Sequence, residues 1–171
     1  MKIRTVSIAL IALASLLLAG CGTDSDKSPE KSSSPTAPAL EGTWRTAPVS
    51  PSDAEATLRK HGLKKWINQF RDESPIQTDT TLVLEAKDGW VLSGETEGGA
   101  AEKIDYTTDY EVRDDEVEAV HDDGSNVYRW TVEGDTLTLA WLKTTFPAHE
   151  GIPEEAYQRA LYMTAKFTRA D

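Results

Sequence analysis

From about Leu82 to Trp141 the chain alternates apolar and polar residues with period two, and turn residues interrupt it at short intervals. Successive side chains of a strand point to opposite faces, so this pattern favours antiparallel strands joined by tight turns. Leu82, Leu84 and Ala86 precede the hairpin signal Asp88-Gly89, and Trp90, Leu92 and Gly94 continue on one face. Ile104, Tyr106, Thr108, Tyr110 and Val112 form the longest alternation, with Asp105, Thr107, Asp109 and Glu111 opposite. Val117, Ala119 and His121 lead into Asp123-Gly124. Tyr128, Trp130 and Val132 run to Glu133-Gly134-Asp135, and Leu137, Leu139 and Trp141 form the next inward set. Leu161, Met163, Ala165 and Phe167 predict a last strand.

Helical signals lie near both ends of this region. Gly42-Thr43-Trp44-Arg45 reads as a first strand. Ser50 then offers an N-cap, Pro51 suits the first helical position, and Asp53 stands three residues after the cap. Gly62 is a natural stop. Leu63, Trp66, Ile67 and Phe70 make the apolar stripe of a second short helix, and Pro75 limits it. Another short helix is expected from Glu154 to Arg159, after Pro153. The fold class expected is mainly β. It is an antiparallel up-and-down barrel of about eight strands, with a helix-turn-helix after the first and a short helix before the last. Closure would remove the edges and enclose room for one small ligand.

The rest of the chain is an address and a tether. Lys2 and Arg4 precede a mostly apolar run from Val6 to Leu18. That run is short for a membrane span and reads as a secretory signal over residues 1–20. It ends in Leu18-Ala19-Gly20-Cys21, and Cys21 is the one cysteine among 171 residues. Residues 21–40 are rich in Ser and Pro and predict a disordered tether. Residues 41–171 are then the folded domain. The formal net charge of -11 argues against nucleic acid and against electrostatic docking on anionic lipid.

Two resemblances bear on these segments. Leu18-Ala19-Gly20-Cys21 resembles the lipobox of bacterial lipoproteins. This implies cleavage before Cys21, a diacylglycerol on its sulfur, and a place on the extracytoplasmic face of the cell membrane. Two or more acyl chains give stable anchoring where one does not. Gly42-Thr43-Trp44 resembles the G-x-W of calycins, the superfamily of lipocalins and fatty-acid-binding proteins. The resemblance implies that Arg169 packs over Trp44 at the closed end of a barrel, with Gly42 beside them. The ending Thr164 to Ala170 is similar to the last strand of fatty-acid-binding proteins, and the helix-turn-helix to their lid. The Arg-x-Tyr carboxylate clamp of those proteins is replaced by Ala165 and Phe167.

The expected function is binding rather than catalysis. No HExxH, GxSxG or glycine-rich phosphate loop occurs, and no nucleophile, base and oxyanion site come together. His61, His121 and His149 read as solvated or capping residues. Asp122 and Asp123 read as turn formers, so no metal or cofactor is expected. Trp66 and Phe70 on the lid, with Tyr106, Tyr110, Trp130, Trp141, Met163 and Phe167 on inward faces, are the expected walls for a small lipophilic ligand. The alternative is a filled barrel that binds a protein, as an inhibitor or accessory subunit of an envelope complex. Its surfaces would be the insert from Phe146 to Ala160, with an apolar patch near Phe146 or Ile152, and the acidic face, which suits a basic partner.

Overall fold

The computed structural model describes residues 37–147 and 151–170. The signal segment, Cys21, most of the tether and His149 lie outside the described residues. No helix among the described residues is long and apolar enough to cross a membrane.

The strands are β1 (Gly42–Thr46), β2 (Thr80–Ala86), β3 (Trp90–Thr96), β4 (Glu102–Thr107), β5 (Asp109–Arg113), β6 (Glu116–His121), β7 (Gly124–Glu133), β8 (Thr136–Thr144) and β9 (Phe167–Arg169). They form one antiparallel sheet in the order β4-β3-β2-β1-β9-β8-β7-β6-β5. The chain is thus mainly β, with helices α1 (Ala37–Leu40), α2 (Pro51–Lys60), α3 (Ile67–Glu73) and α4 (Glu154–Tyr162) among the described residues.

The sheet and its flanks differ in detail from the sequence pattern. Among the described residues nine strands form the sheet, where about eight are expected, and no ladder closes it into a barrel. Both differences have one cause. The alternation from Ile104 to Val112 is broken at Thr108, and its two parts become β4 and β5 at opposite ends of the sheet order. Next, the last strand is only Phe167–Arg169, and Leu161 and Tyr162 belong to α4. Over a few residues a buried helix end and a strand give similar apolar patterns. Described structure also reaches into the segment before Glu41. Ala37–Leu40 is a helical turn, Leu40 is fully buried, and its carbonyl accepts the Trp44 indole N–H at 2.8 Å.

The start of α2 follows its sequence signal. The Ser50 hydroxyl accepts from the Asp53 N–H while the Asp53 carboxylate accepts from the Ser50 N–H. The Ser50 hydroxyl also donates to Asp53 Oδ2 at 2.6 Å, and this bond, followed by the one from the Ser50 N–H, holds the Asp53 carboxyl below its ordinary range. Ala54, Thr57 and Leu58 give α2 its buried stripe, and Ile67 and Phe70 do so for α3. A bridge between Val49 and Thr80 pins the helical pair to the sheet. α4 packs against both α2 and β8. The core joins Trp44, Leu82, Leu84, Trp90, Tyr128, Trp130, Leu161, Tyr162 and Phe167, all fully buried.

Leu40→Ala should lower the unfolding free energy by about 2–5 kcal/mol in chemical denaturation. An unchanged denaturation midpoint would return the turn Ala37–Leu40 to the tether.

Candidate functional site

The middle of the sheet, where β1 meets β9, is built around Trp44. Its ring is fully buried, and the Arg169 guanidinium lies 4.2 Å from the ring centroid. Arg169 also donates to the carbonyls of Glu41 and Ala39, each at 2.9 Å. Gly42 makes room for it: a Cβ there would lie 2.7 Å from Arg169 Nη1, and φ is +135°. Glycine takes that conformation without penalty.

The residues expected to line a ligand site are dispersed. Phe70 is buried and meets Tyr157 edge-on, with centroids 6.3 Å apart. Trp66 is half-buried, under the Lys65 ammonium. Trp130 and Phe167 are fully buried in the core. Trp141 is half-buried beneath the Arg159 guanidinium, and its indole N–H donates to Asn126 Oδ1 at 3.3 Å. Met163 follows the end of α4, where its sulfur accepts from the Trp141 N–H at 3.4 Å. Tyr110 is half-buried against Trp90, with centroids 6.1 Å apart.

Tyr106 is the clear departure, because it is 64% exposed. The cause is a bulge in β4. The ladder pairs Leu92 with Asp105 and Ser93 with Lys103, and skips Ile104. Without the extra residue, Ile104 and Tyr106 would oppose Leu92 and Trp90 on the inward face. With it, Asp105 and Thr107 take those places, since one residue of slip exchanges the faces of a strand.

The bulge creates a buried polar chain. Trp90 Nε1 donates to the Tyr162 hydroxyl at 3.0 Å, and that hydroxyl donates to Asp105 Oδ2 at 2.9 Å. Tyr128 stacks on Trp90 and donates to Gln158 Oε1 at 2.7 Å. Gln158 and Asn126 both donate to Glu154 Oε1, at 2.7 and 2.9 Å. Burial pushes the Asp105 carboxyl up, against the Tyr162 hydrogen bond and the His121 imidazole. Burial pushes the Tyr128 and Tyr162 phenols well above their ordinary range, and Tyr157 up to about 12. The phenols therefore stay neutral donors, and the carboxylates of Asp105 and Glu154 are the acceptors on which the chain ends.

The inward aromatics thus contact one another and helix α4. Tyr128 and Tyr162 centroids are 4.9 Å apart. Two clefts lie at the β2–β3 turn: one of about 340 Å³ beside Gly42, Glu85 and Val91, and one of about 460 Å³ beside Asp109, Tyr110 and Val120. Both include Lys87, Asp88 and Gly89. Among the described residues no group of three or more His, Cys, Asp or Glu could hold a metal ion.

Asp105, Tyr162, Gln158 and His121 were not legible as site residues. Asp105 sits at an outward place in the unbulged alternation. Tyr162 and Gln158 become neighbours at i, i+4 only once residues 154–162 are seen to be helix.

Tyr162→Phe leaves the Trp90 N–H and Asp105 Oδ2 without their partner, and should destabilise by about 1–3 kcal/mol. A second expectation concerns pH. Because burial raises the Asp105 carboxyl, its contribution is full below the ordinary aspartate value near about 3.9 and is lost as pH rises through the raised value. Asp105→Asn should flatten that part of the stability–pH curve, and an unaltered curve would remove Asp105 from the account.

No protein-family model matches the chain, and a search of curated proteins finds no match.

Proposed function

We propose that the chain is a lipid-anchored extracytoplasmic lipoprotein whose folded domain is a filled, barrel-like scaffold for binding a protein partner. The anchor rests on Lys2, Arg4, the apolar run to Leu18 and the lipobox-like Leu18-Ala19-Gly20-Cys21. The barrel-like reading is supported by side chains that bridge the sheet's two ends. Thr107 of β4 donates to the Val120 carbonyl of β6.

One observation carries the choice between the two binding modes. The inward aromatics Trp90 and Tyr128 stack on each other, and both meet Tyr162 of α4 at a tilt. Their polar atoms are largely used within the protein: Trp90 Nε1, Tyr128 OH and Trp141 Nε1 each have a protein acceptor. A ligand would have to displace a helix to reach them. Binding at the surface needs no such displacement.

Of the two surfaces expected in sequence, the acidic face is the better supported, because the expected apolar patch is covered. Ile152 is buried, and Phe146 is half-buried against His121, with centroids 5.4 Å apart. Neither leaves an exposed apolar patch. The exposed face is charged, carries Tyr106, and belongs to a chain of net charge -11. Such a surface suits a basic partner, since complementary charge speeds encounter and excludes wrong partners.

Two measurements test this. Cys21→Ser should move the protein from the membrane to the soluble fraction, and persistent membrane association would sink the anchor. Native mass spectrometry of a form starting after Cys21 should give the bare protein mass, with no response to a lipophilic fluorescent probe. A small mass lost on denaturing extraction would instead restore the lipophilic-ligand reading.

A further inference from the structure

The two ends of the sheet come together where β4 passes the last residues of β6. The Thr107 hydroxyl donates to the Val120 carbonyl and accepts from the Asp109 N–H at 3.1 Å. On the same face of β4, Asp105 Oδ1 stands 3.5 Å from His121 Nε2. That distance is too long for a good hydrogen bond. His121 Nε2 is nevertheless buried and has no hydrogen-bond partner. Both side chains are largely shielded, at 18% and 11% exposure.

A neutral imidazole offers Asp105 at most an uncharged N–H at Nε2, and in the other tautomer leaves that buried nitrogen unsatisfied. A protonated imidazole presents an N–H and a positive charge to a carboxylate in a partly dry site. Charge-assisted bonds of this kind are about twice as strong as neutral ones. Closing the gap by a few tenths of an ångström would draw β4 toward β6.

We propose that His121 and Asp105 form a proton-dependent latch across the β4–β6 seam, closed when the imidazole is protonated and loosened when it is neutral.

The described groups around the latch favour this sign. From β4 comes Asp105 itself. From α4, the Tyr162 hydroxyl holds the other carboxylate oxygen, Gln158 bears on Asp105, and the Glu154 charge acts on the pair. Asp122 and Asp123 follow His121 in its own turn. Glu118 on β6 is engaged elsewhere, by Ser125 and Arg113. The segment after β8 contributes the uncharged Phe146 ring. Every ionised group named around His121 is therefore an acid, apart from Arg113, which Glu118 engages. β4 and β5 are the edge strands of the sheet, so the seam is where the sheet opens without breaking a ladder.

Amide hydrogen exchange of the full-length protein tests the proposal, at about pH 5.5 and about pH 8, on either side of the range where imidazoles change charge. After correction for intrinsic exchange, β4 amides should be protected about tenfold more at the lower pH. H121Q and D105N should each abolish that difference. An equal difference in H121Q, or none in the parent protein, overturns the latch. Should a variant fail to fold, NMR of the parent decides alone. The β4 amide shifts must titrate with the same midpoint as the His121 imidazole, and independent midpoints overturn it.

Discussion

Two four-stranded meanders meet through a strand of three residues. β9 pairs with β1 on one side, Trp44 with Arg169, Arg45 with Thr168 and Thr46 with Phe167, and with β8 on the other. β1 to β4 hang from one flank and β8 to β5 from the other. A three-residue ladder is weak alone, so side chains carry the join. Phe167 is fully buried, the Thr168 hydroxyl donates to the Arg45 carbonyl, and Arg169 covers the Trp44 ring. A cation on a tryptophan face contributes about 0.5–2 kcal/mol, more as water is excluded. The Leu40 and Glu41 carbonyls bind the same two side chains, which makes the first described residues part of this joint.

Helix α4 answers the other demand of such a sheet, which is to cover its apolar face. It brings polar as well as apolar groups. Leu161 and Ala160 fill space, while Gln158 and Tyr162 satisfy Tyr128, Trp90 and Asp105. A buried phenol or indole needs a partner, and each of these three has one. The arrangement fixes α4 in one register: sliding the helix by a residue would leave Asp105 and the Tyr128 hydroxyl unmatched.

Much of this was legible in the sequence. The hairpins at Asp88-Gly89 and at Glu133 to Asp135, the capped helix after Ser50, and the apolar stripe of Trp66, Ile67 and Phe70 follow from local rules, and local rules suffice for them. What failed depended on distant contacts. The β4 bulge leaves Ile104 beside Gly94, and nothing in the alternation announces it. It turned Tyr106 outward and Asp105 inward, and so hid the polar chain. The stretch from Leu161 to Phe167 reads as a strand by period, yet Tyr162 is needed on a helix facing β3 and β4. The packing of Trp90 and Tyr128 against Tyr162 could not be read either, because aromatic residues on inward faces look the same whether they line a cavity or pack together.

The joint and the seam differ in how far apart they lie along the chain. Arg45 and Thr168, which meet at β1 and β9, are 123 residues apart. Thr107 and Val120 at the seam are 13 apart. Closing the larger loop costs more chain entropy, so hairpins on either side are able to form well before the two halves dock. The backbone of Ala170 is already bonded to Thr43 at 2.8 Å. A chain cut at Thr108 and rejoined near Ala170 would keep every ladder while turning its most distant pairing into a neighbouring one. The same fold would then be reached by a different order of assembly.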